Sequence, residues 1–244
     1  NFKHFYLFYV CRELKKEFPN LLSYTRFVER IPRVAIPLLL FLKLGLMGEC
    51  TGITFIDSTR IPVCENKRQS RNRVFKGYAQ KGKSTMGWYY GFKLHLLCNE
   101  RGELLNFALT RANVDDRNPK VFNDLTKDLF GKLYADKGYI SQSLFASLFD
   151  RGVHIVTGIR TNMKNRLMDV HDKIMLRKRS IIETINDMLK NVAQIVHTRH
   201  RSISNFIVNL LAGIAAYAFY DTKPSINMEF EREEKQDVKQ LTLF

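Results

Sequence analysis

Hydrophobic and polar positions follow two different periods along this chain, and the change falls near residue 50. Before it, apolar residues recur every three or four positions from Tyr9 to Phe18, stop at Pro19-Asn20, and resume through Phe27 and Val28, which is the spacing of helices. Residues 1–50 are expected to form an N-terminal helical region. From Ile53 the texture turns to short β-branched and aromatic runs, "ITFID", "WYYGFKLHLLCN", "LLNFALT", "KLYAD" and "VHIVTGI". Helical patterns at "PKVFNDLTKDLF" and "QSLFASLFDRG" separate the later ones. Three successive strands followed by alternating helix and strand predict an α/β fold, its mixed sheet antiparallel first, parallel afterwards and flanked by helices. This domain takes residues 51–221. From 222 to 244 Glu, Lys, Asp and Gln dominate, core-forming residues are few, and a disordered tail is expected.

Composition adds a partner class. Lys and Arg number 39 against 24 Asp and Glu, a net charge of +15, and such a field attracts polyanions, nucleic acid before membrane. Cys11, Cys50, Cys64 and Cys98 show neither zinc spacing nor a disulfide framework, which suits a reducing cytoplasm. The apolar runs from Val34 to Gly48 and from Phe206 to Tyr220 fall short of the roughly 20 residues a membrane span needs and read as core helices. No signal peptide is visible, and a chain opening on Asn1 is expected to be a fragment.

The stretch "LRKRSIIETINDMLKN" sets Glu183 between two cations, Arg179 and Lys190. At about 100° per residue, Arg179, Glu183, Asn186 and Lys190 share one arc of a helix, while Ile181, Ile182, Ile185, Met188, Leu189 and Val192 occupy another. An exposed stripe of weak ion pairs would look the same. Two further acids change the picture. Asp57 in "TFIDST" and Asp136 in "LYADKGY" each follow a strand-like run, where a parallel sheet exposes its strand ends to ligands. If those strands are neighbours and the Glu183 helix crosses them, three carboxylates converge and require cations. Oxygen ligands without His or Cys suit Mg²⁺ or Mn²⁺, and two such ions support in-line phosphoryl displacement.

With these motifs the chain resembles the DDE transposases of bacterial insertion sequences, which share the ribonuclease-H-like fold of retroviral integrases. The likeness runs from about Ile53 to Pro224, through "FIDST", "GWYYGFKLHLL", "LTRANVDDR", "LYADKGYIS", "NMKNRLM", "LRKRSIIETINDMLKN" and "HTRHRS". Arg179, Glu183 and Lys190 match the family's third-acid signature, with Leu176 where a tyrosine would stand. The resemblance implies that Asp57, Asp136 and Glu183 are the catalytic triad and the ligands of two Mg²⁺ or Mn²⁺ ions, cutting at transposon ends and joining the 3′ hydroxyl to target DNA. It also implies a homodimer in the synaptic complex and a bacterial, nucleoid-associated setting. A nuclease with the same triad and an inactive basic DNA-binding protein are the alternatives.

Other motifs weigh less. "GYAQKGKS" matches the phosphate-loop pattern literally, but the strand before it and the helix after it are missing. Lys67, Arg68, Arg71, Arg73, Lys76, Lys81 and Lys83 instead read as a basic arm for DNA phosphates, joined by Arg179 and Lys190 and by a second cluster at His197, Arg199, His200 and Arg201. Asp115 and Asp116 are expected to cap the helix near Pro119. Of Trp88, Tyr89 and Tyr90, at least two are expected to pack in the strand, although such rings can stack on an unpaired base. The last residues, Gln240, Leu241, Thr242, Leu243 and Phe244, resemble the motif by which bacterial replication proteins bind the sliding clamp. A labelled peptide of this segment should give a saturable anisotropy change with purified clamp; a flat titration removes that partner.

Overall fold

The computed structural model describes residues 2–159, 167–197 and 200–226. The N-terminal region is helical as expected, but its first helical segment precedes the periodic run from Tyr9 to Phe18, in which residues 11–17 form turns. It comprises α1 (Phe2–Phe5) running into a π-type turn (Tyr6–Val10), then α2 (Tyr24–Arg30) and α3 (Ala35–Phe41). The break around Pro19 ends where the Ser23 hydroxyl accepts from the Arg26 N–H and caps α2.

Six strands form one mixed sheet: β1 (Ile53–Cys64), β2 (Gln80–Ser84), β3 (Gly87–Asn99), β4 (Leu104–Arg111), β5 (Gly131–Ala135) and β6 (Val153–Thr157). The path runs β2-β3-β1-β5-β6, and β4 also pairs with β3. A strand has two edges. Since β1 occupies one edge of β3, β2 and β4 lie end to end along the other. β1 to β4 pair antiparallel, while β5 and β6 run parallel to β1. This is the ribonuclease-H-like arrangement expected. The short edge strand β2 departs from the sequence reading, which gave its residues to a basic arm linking two strands. Gly82 makes the edge possible, because a Cβ there would collide with the Ala112 carbonyl at the end of β4. As a strand in a hairpin, residues 80–84 form no phosphate loop.

Side-chain alternation along β1 sends Phe55, Ile61 and Val63 to one face and Ile56 to the other. On the Ile56 face, α4 (Pro119–Leu125) and α5 (Gln142–Phe149) bury Phe122, Leu125, Leu144 and Leu148. On the Phe55 face lie α6 (Val170–Lys178), α7 (Ser180–Asp187) and α8 (Ile203–Ala218). α7 docks through Ile181, Ile182 and Ile185, each worth about 1.5–3 kcal/mol when buried. The Tyr217 hydroxyl of α8 donates to the Gly102 carbonyl at 2.6 Å, tying that helix to the β3–β4 turn. α6 is pinned by Asp172, whose Oδ1 accepts from Lys132 Nζ at 2.7 Å and Tyr134 hydroxyl at 2.8 Å. Burial alone would raise the Asp172 pKa, but those two donors hold it below the ordinary carboxylate value.

The stretch from 176 to 192 is not one uninterrupted helix. Arg179 stands at the junction of α6 and α7, and a π-type turn (Met188–Val192) follows α7. The wider turn leaves Val192 exposed, although 3.6-residue periodicity put it with the buried isoleucines. Among the described residues no helix is long and apolar enough to cross a membrane.

Candidate active site

Parallel pairing of β1 and β5 sets Phe55 opposite Tyr134. Two residues further along each chain segment, Asp57 lies within β1 and Asp136 just past the end of β5, near enough for its charge to act on Asp57. Asp57 follows Phe55 by two residues, so alternation directs it toward α7. Asp136 closes a tight turn (Lys137–Tyr139), its Oδ1 accepting from the Lys137 N–H at 2.7 Å.

Glu183 belongs to the first turn of α7, and a guanidinium links it to Asp57. Arg179 Nη2 donates to Glu183 Oε1 at 2.6 Å, and its Nη1 lies 3.7 Å from Asp57 Oδ1. On the same helix, Asn186 Nδ2 donates to Asp57 Oδ2 at 2.9 Å. Burial pushes the Asp57 pKa up to about 6. Arg179 and the Ser58 backbone N–H pull it down, and the charges of Glu183 and Asp136 push it up again. Lys190 approaches from the π-type turn. Burial first, then Arg60, lower its pKa, against the opposite pull of Asp57 and Asp187.

Among the described residues no three His, Cys, Asp or Glu side chains stand arranged to hold a metal ion. Arg179 fills the space between Asp57 and Glu183 with positive charge instead. The donor chemistry nevertheless fits a hard divalent cation. All the acids offer oxygen, Asp57 lacks enough compensating charge to stay ionised easily, and Asn186 Oδ1 is buried with no partner among the described residues.

The cations of the arm are all exposed: Lys67, Arg68 and Arg71 on a 3₁₀ turn, Arg73 and Lys76 beyond it, Lys81 and Lys83 on β2. Lys81 and Lys83 lie 5.1 and 6.0 Å from the half-exposed ring of Trp88, while Tyr89 and Tyr90 are buried. These two lysines and Trp88 line a cavity of about 560 Å³ that reaches Arg117 and Gly138, two residues past Asp136.

Elsewhere the structure redraws the expectations. Asn118, not Asp115 or Asp116, caps α4 by accepting from the Val121 N–H. Asp115 pairs with Arg117, and Asp116 accepts from Lys93 Nζ at 2.9 Å. His200 packs against Phe75 and Phe206, and burial lowers its pKa to about 4, so it faces the core rather than a polyanion. Arg201 is exposed. Arg199, most of "NMKNRLM" and the segment holding Gln240, Leu241, Leu243 and Phe244 lie outside the described residues. Sequence reasoning missed Asn186 as a partner of Asp57, although it had placed Asn186 on the Glu183 arc. It also missed Arg60, whose approach to Lys190 no local pattern signals.

The family described as "Transposase DDE domain" matches residues 47–203. No curated protein matches the chain. Among solved structures, a cryo-EM structure of the piggyBac transposase synaptic complex with hairpin DNA aligns at 11% identity and a TM-score of 0.46. The alignment covers 70% of this chain and 47% of that one, so the chain spans about half the length of that relative. A crystal structure of the Mos1 strand transfer complex aligns at 10% identity and a TM-score of 0.31, covering 86% of this chain and 67% of that one.

The raised Asp57 pKa has a measurable sign. Folded Asp57 takes up its proton near pH 6 and the unfolded side chain near 3.8, so the native state binds the extra proton between them. Stability therefore falls as pH rises from about 4 to about 6, by on the order of 3 kcal/mol. In EDTA, Asp57→Asn should melt above the parent at pH 7 and close to it at pH 4; equal melting at both values contradicts the assignment.

Proposed function

The chain belongs to the family of transposase DDE domains, and on that footing we propose that Asp57, Asp136 and Glu183 form the catalytic site of a metal-dependent DNA transposase. One observation supports the proposal above the others: Arg179 bridges Asp57 and Glu183, and the charge of Asp136 acts on the same Asp57 carboxyl. The three carboxylates would hold two Mg²⁺ or Mn²⁺ ions, which when bound supply activation of an attacking hydroxyl and stabilisation of the leaving oxygen.

The chain's own side chains account for the rest. Asp57 must be ionised to serve as a ligand, and Arg179 and the Ser58 N–H favour that form against burial. Lys190, whose charge interacts with Asp57, would receive a phosphate of the scissile strand. Cleavage forms a bond from water oxygen to phosphorus and releases a 3′ hydroxyl. Strand transfer forms a bond from that hydroxyl oxygen to a target phosphorus and releases the target's 3′ oxygen. The exposed cations from Lys67 to Lys83 carry the flanking duplex by phosphate contact. The match of Arg179, Glu183 and Lys190 to the third-acid signature supports a bacterial insertion sequence as the element served, with a second copy of the chain at the other transposon end by the same family resemblance; the sliding clamp as partner rests separately on the sequence from Gln240 to Phe244.

Supercoiled DNA carrying the element ends, incubated with the protein and Mg²⁺, should yield strand-transfer products. Glu183→Gln should reduce them by about 10² to 10³-fold, the scale of losing one charge-stabilising group at a reacting centre. Nicking without joining indicates a nuclease, and retention without cleavage an inactive binder. Replacing Lys81 and Lys83 together by Ala should weaken duplex binding for all sequences alike and lower the slope of log K against log salt by roughly 1 to 2. An unchanged slope removes these lysines from the interface.

A further inference from the structure

Asn186 lies one turn beyond Glu183 on α7 and is 6% exposed. Its Nδ2 donates to Asp57 Oδ2. An ionised carboxylate only accepts, so the amide must present its nitrogen to Asp57 and turn its oxygen elsewhere. That oxygen is sealed from solvent and meets no donor among the described residues. Arg179 Nη1, beside the same carboxylate, is likewise buried without a hydrogen-bond partner among them. Buried polar atoms in native proteins are nearly always satisfied, so two orphans around one acid mark the place of a missing polar group.

We propose that Asn186 is the positioning residue of this site. Its side-chain N–H holds the Asp57 carboxylate in one orientation against α7, and its Oδ1, once the cation's arrival moves the groups that now cover it, accepts a hydrogen bond from a water of hydration of the divalent cation that Asp57 takes. The inference rests on the metal-dependent reading above. Mg²⁺ gives up its waters reluctantly and usually keeps several, so an acceptor at hydration distance suits it better than another direct ligand. Groups that orient a ligand from outside the coordination sphere typically contribute 10- to 100-fold to metal affinity. A tie serving only to fasten α7 to β1 would use the donor and leave metal affinity unmoved.

The test uses the full chain and Mn²⁺ alone, with free ion followed by electron paramagnetic resonance. Asn186→Leu and Asn186→Ala should each weaken Mn²⁺ binding by about 10- to 100-fold while keeping a cooperative melting transition. Ala, which adds no bulk, answers the question if Leu does not fit. Glu183→Gln separates the two levels of the claim. If Glu183→Gln lowers Mn²⁺ binding and both folded Asn186 variants bind as the parent does, the role of Asn186 is overturned. If Glu183→Gln also binds as the parent does, the metal reading fails with it.

Discussion

A partly buried carboxylate with two other acids near it needs compensating charge, and Asp57, with Glu183 and Asp136 acting on it, is in that situation. A cation has to arrive at the height of Asp57, and it comes from the junction of α6 and α7. The junction sits there because α6 is pinned to β5 through Asp172, Lys132 and Tyr134, and α7 is pinned to the sheet through three isoleucines. Arg179 then reaches Asp57 with one nitrogen and Glu183 with the other. Packing and electrostatics thus specify the same helix position.

The remaining positive charge is distributed by exposure. Arg179 and Lys190 are drawn in toward the acids, where burial makes their charge effective at short range. The cations from Lys67 to Lys83, on the 3₁₀ turn, the segment after it and β2, stay in water, where screening limits what each contributes to stability and leaves them available to a polyanion. The cavity lined by Lys81, Lys83 and Trp88 joins β2 to the turn after Asp136. In the proposed function this division separates holding the duplex from acting on one phosphate.

Much of the fold was legible because burial on both sheet faces leaves a plain signature in the strands. "ITFID", "KLYAD" and "VHIVTGI" read as strands because Phe55 and Ile56, Leu133 and Tyr134, and Ile155 and Val156 feed opposite cores. Asp57 and Asp136 stood out because each ends such a run. What stayed hidden depends on contacts between distant segments. β2 is polar and forms a strand only because β3 offers an edge and Gly82 clears Ala112. Asp116 left the expected cap for Lys93, a residue on the sheet. The break at Arg179 and the turn after Asp187 have no marker such as Gly or Pro. Asn186 sat on a visible arc, but only the fold supplies its partner on β1.

The central claim is that Asp57, Asp136 and Glu183 share divalent cations, and anomalous diffraction from crystals grown with Mn²⁺ tests it most directly. The expected result is density at the Mn²⁺ edge among the three carboxylates, with Arg179 drawn back from the space it now fills and Asn186 Oδ1 within hydrogen-bond distance of a metal-bound water. Anomalous density absent from these side chains at saturating Mn²⁺, with Arg179 still between Asp57 and Glu183 in a crystal that also holds transposon-end DNA, would contradict the account.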